Sequence, residues 1–370
     1  MRNWNPGALW RTSLLCAAAL AGSLLPVAAA PLSLYVSPNG DDTSTGTAPM
    51  PRAATAAGRV GPFATLQRAQ TELRALKAAG KLPEGAVVYV RGGIYPLAQT
   101  LAFGPEDSGT ATHPILYRPY LNEKPILAGA RIINGFHPYK GGILRCDLKA
   151  AGLGTLRFHQ LFFRGERMTL ARTPNADPKD PHGGAWAHVM GEIGAGNKRE
   201  FKYGDPVTGM WARPQEGEIC LFPSYDWAWN ILPLKSVDRE KQTITLGRDA
   251  SYPLRVGDRY FVQNLFEALD SPGEWYLDTQ TATLYFWPPA ALIGGQVLAP
   301  VLDSVVTLKG AQYVTLQGFT LEACDGDAAQ MTDCQGCTVT GCVVRNCGKW
   351  GVNITGGQQN GAFGNDIYAA

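Results

Sequence analysis

The chain has 370 residues, with 43 Gly and 26 Pro beside abundant Val, Leu and Tyr, a mixture of turn and strand formers that predicts an all-β protein. Once Arg2 and Arg11, which fall in the leader described next, are set aside, 31 basic residues face 31 acidic ones. That neutrality excludes an electrostatic footprint for nucleic acid or an anionic membrane surface.

Residues 1–30 read as a signal peptide, because Arg2 and Arg11 precede the apolar run SLLCAAALAGSLL and the small residues VAAA follow it. The apolar stretch from Leu14 to Leu25 is too short to cross a bilayer comfortably. Cys16 lies inside that stretch and follows Leu15, where a lipoprotein signal requires a small residue. The expected product is secreted or periplasmic, free of the membrane after cleavage, and monomeric.

Residues 31–156 open with the strand LYVS and the loop NGDDTSTG. Asp41 and Asp42 invite a calcium reading, but the loop lacks the spaced oxygen ligands of a calcium motif and its Asn-Gly pair signals a turn. In PFATLQRAQTELRALKAAG, Phe63, Leu66, Ala69, Leu73 and Leu76 recur at helical spacing, which predicts an amphipathic helix. AVVYVRGGIYPL, QTLAF, HPILYRPY and KPILAGARI follow as short strands broken by Gly-Gly and Pro. A helix ahead of short strands suits the cap of a strand solenoid, whose bare end exposes core and unpaired backbone.

Residues 157–290 are rich in Trp, Pro and charged turns and read as an inserted β-rich module. HQLFFRGERMTLARTPN predicts a hairpin around Arg164-Gly165, and EWYLDTQTATLYFWPP another around Thr279 to Thr281. SYDWAWN places Asp226 beside Trp227 and Trp229, either as a sugar-stacking loop or as the surface that packs the module on its neighbour.

Residues 291–370 contain a repeat. VVTLKGAQYVTLQGFTLEACDGD, AAQMTDCQGCTVTGCVVRNCGKW and GVNITGGQQNGAFGNDIYAA register without a gap at a period of 23. Leu308, Met331 and Ile354 align, as do Leu316, Val339 and Ala362, and Leu321, Val344 and Ile367, so each column points inward. Gly318, Gly341 and Gly364 form a column where the backbone bends. Runs such as YVTLQ alternate with the period of a strand. Stacked turns of this kind share one core and satisfy one another's backbone at about 4.8 Å spacing, which predicts a right-handed parallel β-helix solenoid; the LxxLxLxxN pattern of leucine-rich repeats is absent. Cys324 and Cys347 lie one period apart and read as small apolar packing. Cys334 and Cys337 form a CxxC but lack the further Cys or His that a tetrahedral zinc site needs, and His113, His137, His159, His182 and His188 show no metal spacing.

YVSPNGDD, PFATLQRAQ, VVYVRGGIY, HQLFFRGERMTLARTPN and PGEWYLDTQTATLYFWPP, together with the 23-residue coils, resemble the secreted right-handed parallel β-helix (pectin-lyase-like) proteins of carbohydrate-degrading bacteria. The resemblance covers nearly the whole mature chain. It implies a likeness to β-helical glycoside hydrolases such as certain α-L-fucosidases and α-galactosidases, and more distantly to pectate lyases. Compared with that family the chain looks truncated in its third regular coil, and the family's catalytic carboxylates commonly sit at or beyond that point.

Glycosidic hydrolysis requires two carboxyl groups held about 5 to 10 Å apart. Strand alternation predicts that Glu322, Arg345 and Asp366 face outward, that the Asp325-Gly-Asp327 corner projects beside them, and that Trp350 follows Asp327 one coil later. Asp325, Asp327 and Asp366 are the candidate catalytic acids; Glu322, Arg345, Trp350, Asp226 and Trp227 are candidate substrate contacts. Glu322 with Arg345 also suits an ordinary surface ion pair. The expected substrate is a polysaccharide or oligosaccharide, with no cofactor. Three functions compete: a glycoside hydrolase, a lyase or uronate epimerase using calcium or Arg to stabilise a carbanion, and a non-catalytic carbohydrate-binding or adhesion solenoid.

Overall fold

Three parallel sheets are visited in rotation by the chain, and a wide antiparallel excursion interrupts them. The computed structural model describes residues 30–53, 58–82, 84–177, 179–180, 185–204, 211–293 and 295–369; the leader expected over 1–30, Ala30 excepted, and His182 lie outside the described residues. Pro31–Ala370 form one unit.

The first sheet runs Leu32–Val36, Ala86–Val90, Ile115–Pro119, Val314–Gln317, Thr338–Thr340 and Gly361–Phe363. The second stacks Gly93–Pro96, Pro125–Ala128, Thr320–Cys324, Val343–Cys347 and Asp366–Tyr368. The third stacks Leu101–Phe103, Val306–Lys309, Ala329–Thr332 and Val352–Thr355. All three predicted inward columns are register partners: Leu308 with Met331 and Ile354, Leu316 with Val339 and Ala362, Leu321 with Val344 and Ile367. Met331, Val339 and Val344 are wholly buried, so each coil closes the core of the one before. Asn360 and Asn365 occupy the columns of Cys337 and Cys342, and their side chains bridge backbone groups of the preceding coil at 2.7–3.0 Å. A polar residue in the core column therefore costs little, because its donors and acceptors are met.

The corners repeat as faithfully as the columns. Gly318, Gly341 and Gly364 have φ of 74°, 60° and 59°, the left-handed conformation expected of a glycine column. A second left-handed column, Ala323, Asn346 and Ala369 at 56°, 57° and 52°, has no glycine to announce it. Ala323 and Asn346 stand level between Glu322↔Arg345 and Cys324↔Cys347 with the register unchanged, and the left-handed kink they share returns Cys324 to the core.

The only α-helix among the described residues, Leu66–Ala78, covers the first coils with Leu66, Ala69 and Leu73 buried. Thr65 caps it by accepting from the Arg68 N–H at 3.1 Å. The Asp42 carboxylate accepts from the N–H groups of Ala64 and Thr65 and from the Thr65 hydroxyl, while Asp41 holds Thr43 and Arg59. Asp41 thus serves its own turn, and Asp42 ties that loop to the start of the helix.

Ile115–Pro119 pairs directly with Val314–Gln317, so the coils before and after the excursion are neighbours. The excursion leaves through Ala130–Ile133 and returns through Val297–Pro300, an antiparallel pair beside Gly129, whose carbonyl accepts from Val301 and Leu302. Its strands run from Ala130 to Pro300, and His137–Lys140 and Ile143–Asp147, which share the short alternation of the parallel strands, pair within it. One of its sheets orders Ala130–Ile133, Val297–Pro300, Leu161–Phe163, Glu166–Leu170, Glu274–Asp278, Thr283–Phe286, Ile143–Asp147 and His137–Lys140; the other is built around Glu218–Leu221, Asn230–Asp238 and Arg259–Gln263. Both predicted hairpins form, closed by Phe163↔Glu166 and Asp278↔Thr283. Phe162 and Leu298 pack on Ala128 and Ala323, seating the excursion on the outer face of the second parallel sheet.

Candidate functional site

Where the excursion meets the parallel sheets, an open cleft of about 570 Å³ is lined by His159, Gln160 and Arg167 on one side and by Asp325, Cys347 and Gly348 on the other, with Ala369 at its end. The wall on the parallel-sheet side is the corner that follows the left-handed Ala323. Its backbone is fixed by the previous coil, Asp325 N–H donating to the Leu302 carbonyl at 2.9 Å and Gly326 N–H to that of Asp303 at 2.7 Å. Gly348 is required here, since a Cβ would stand 2.2 Å from the Asp325 carbonyl oxygen.

The opposite wall belongs to the first hairpin. Gln160 Nε2 donates to Asp325 Oδ1 at 3.0 Å, while Gln160 Oε1 is buried without a hydrogen-bond partner. Arg167 stacks over the Phe162 ring at 5.1 Å and donates to the carbonyls of Cys347 at 3.1 Å and Ala369 at 3.3 Å. Burial holds its pKa below the ordinary arginine value. A carboxylate, an amide and a guanidinium thus converge on one cleft from elements far apart in the chain.

The sequence-predicted residues occupy several settings. Asp325 faces the cleft. Asp327 is 7% exposed and turned the other way: its oxygens accept from the Trp350 N–H at 3.3 Å and from Asn353 Nδ2 at 2.9 Å. The one-period neighbourhood of Asp327 and Trp350 is present through the backbone, while the Trp350 side chain is exposed. Asp366 is exposed beside Val343. Glu322, expected on the surface, is 2% exposed, because the excursion covers that face of the sheet. It accepts from Arg345 Nε at 2.7 Å, and Arg345 Nη1 reaches the Tyr368 hydroxyl at 3.3 Å. Asp226 is exposed on the excursion, 3.7 Å from Arg259, and Trp227 beside it is stacked on Tyr225.

His159, Gln160 and Arg167 were missed by sequence reasoning. The Arg164-Gly165 turn fixes the pairing of Phe162 with Arg167 and so was legible, but the corner that this hairpin meets lies at Asp325 and Cys347, beyond any local signal. Away from the cleft, Glu274 is 3% exposed and accepts from the N–H groups of Asp270 and Ser271 at 3.0 Å; burial pushes its carboxyl up to about 7. Among the described residues no three His, Cys, Asp or Glu side chains gather as metal ligands, and no helix is long and apolar enough to cross a membrane.

No family model matches the chain, and no curated protein matches it. Among solved structures it is similar to one named as a glycoside hydrolase, with a TM-score of 0.62 and 19% identity over 85% of this chain and 65% of that one. A complex of XylC with xylose gives a TM-score of 0.40 at 13% identity, covering 91% and 54% of the two chains. A tailspike of an Acinetobacter baumannii bacteriophage, in complex with capsular saccharide, gives 0.17 at 9% identity over 80% and 43%. Scores of 0.40 and 0.17 carry no weight here. The first likeness is one of fold, and this chain spans slightly less than two thirds of that structure.

Proposed function

We propose that this protein is an exported right-handed parallel β-helix that acts on a saccharide, as a glycoside hydrolase or a part of one, with the sugar chain lying in the cleft at Asp325. Rotation of the chain through three parallel sheets supports the β-helix, and the hand follows from the right-handedness of about 98% of parallel crossovers. The single observation that carries the functional reading is the cleft itself: Asp325, Gln160 and Arg167 meet in it on rigid, hydrogen-bonded backbone. Asp303, whose carbonyl accepts from Gly326 at the same corner and whose exposed carboxylate stands 4.0 Å from Lys349, lies outside the cleft lining and is the second acid of this reading.

A lyase is the second reading. It is favoured by the meeting of one carboxylate with a guanidinium and the exposed His159, the groups that take a proton α to a carboxylate and stabilise the resulting carbanion; calcium dependence belongs to this reading. A panel of polysaccharides and oligosaccharides, followed by reducing ends and by ultraviolet absorbance of unsaturated products, tests both. New reducing ends without absorbance identify a hydrolase, and absorbance a lyase. With either product, Asp325→Asn should lower kcat at least about a hundredfold if it is the acid or base; turnover at the wild-type rate would remove Asp325 from the chemistry. A raised KM with kcat intact would place it in binding alone.

A further inference from the structure

One exposed cluster on the excursion has no part in the cleft. Trp227 is 70% exposed and Tyr225 42%, and their rings stack 5.5 Å apart and within 18° of parallel. Tyr252 meets both edge-on, at 5.0 and 5.4 Å. Large exposed aromatic surface is costly in water and in a monomer marks a place of contact. The loops that carry it are rigidly tied: Ser224 N–H donates to Asp258 Oδ2 at 3.0 Å, and the Asn230 side chain both donates to Ser251 Oγ and accepts from its N–H, each at 2.9 Å.

Groups of both signs flank the rings. Arg255 lies over Tyr225 at 5.4 Å. The Asp226 carboxylate, 90% exposed, stands 3.7 Å from Arg259, whose guanidinium is itself held against Trp186 and Phe222 at 5.0 and 4.5 Å. Flat aromatic faces bordered by an oriented carboxylate and a guanidinium match a ligand that offers C–H faces to the rings and hydroxyls to the rim. Asp226 offsets Arg259, and Asp258, which accepts from the Arg255 N–H at 2.8 Å, offsets Arg255, so the rim suits a neutral ligand better than an anion or a cation.

We propose that the exposed ring of Trp227, backed by Tyr225 and edged by Tyr252, is a platform on which a pyranose ring of a neutral oligosaccharide stacks, with Asp226 and Arg255 binding its hydroxyls, as a site separate from the cleft. This rests on the reading of the protein as saccharide-acting and adds a second place of attachment. Pre-organisation of the platform limits the ordering cost of binding.

The test titrates the full protein with cellohexaose, xylohexaose, mannohexaose and laminarihexaose in turn, following tryptophan fluorescence and binding heat, beside Trp227→Ala and Tyr252→Ala. At least one sugar should bind and perturb the fluorescence, and both variants should weaken it by about tenfold or more, with Tm unchanged for Trp227→Ala, whose side chain lies at the surface. A sugar bound equally well by wild type and both variants would overturn the platform and leave the saccharide reading standing. Binding of none of the four, with no turnover in the wider panel, would overturn both. Sedimentation that shows a dimer dispersed by Trp227→Ala would assign the rings to self-association and overturn the saccharide platform.

Discussion

Replacing Arg345 by Met removes the one charge that balances Glu322, a carboxylate whose side chain is 3% exposed. With Nε and Oε2 2.7 Å apart the charge centres lie about 4 Å from each other, an attraction of about 4 kcal/mol at an effective dielectric near 20. Part of that offsets desolvation, so the useful quantity is the cost of breaking the pair from either side. Arg345→Met strands the buried carboxylate and should cost about 3–5 kcal/mol. Glu322→Gln leaves a guanidinium that is 23% exposed and still reaches Tyr368, and should cost about 1–2 kcal/mol. The double variant should be more stable than Arg345→Met alone, because the second change removes the stranded charge. Urea unfolding at neutral pH, with unchanged dependence on denaturant, reads all three. Equal costs for the two single variants, or a loss below about 1 kcal/mol for Arg345→Met, would refute the asymmetry and with it the claim that the excursion seals this face.

Val344→Asp, a charge placed at a wholly buried position between Leu321 and Ile367, should cost more than about 4 kcal/mol, and an unchanged Tm would contradict the register. Asp327→Asn sets a second amide against Asn353 and should cost about 1–3 kcal/mol in urea unfolding, whereas a neutral result would free Asp327 for another role. Glu274 has a folded pKa raised from 4.5 to about 7, so its stabilisation is complete below 4.5 and is lost as pH rises through 7. Between those limits wild type should lose on the order of 3 kcal/mol that Glu274→Gln keeps, and parallel stability–pH curves for the two would rule this out.

The regular coils were legible because their signal is redundant: each of the Leu308, Leu316 and Leu321 columns recurs with the same period, and Gly318, Gly341 and Gly364 mark one corner. The corner of Ala323, Asn346 and Ala369 was not, since only Asn346 tolerates a left-handed backbone readily and at the two alanines it is imposed by stacking. That left-handed kink also disturbs the alternation used to orient Glu322 and Asp325. The helix was readable from its apolar spacing, and both hairpins from their turns. The cleft was half readable. Asp325 stood out on its corner, but Gln160 and Arg167 reach it only because a strand pair folds back across the sheet that carries Ala128 and Ala323. Glu322 was misplaced for the same reason, as a neighbour distant in sequence decides which face of a sheet meets water.

The direct pairing of Ile115 with Val314 carries a consequence for the order of assembly. If the chain between them were still unstructured, closing a loop of roughly 200 residues instead of a short turn would add about 3 kcal/mol of entropy, at 0.6 kcal/mol for each doubling of length. Once Ala130–Ile133 has zipped to Val297–Pro300, the two coil ends are held side by side and most of that cost has already been met within the excursion. The excursion should therefore fold first and act as a clasp that templates the solenoid. Pulsed hydrogen exchange during refolding would register this as protection at Ile132 and Leu298 before protection at Leu116 and Leu316.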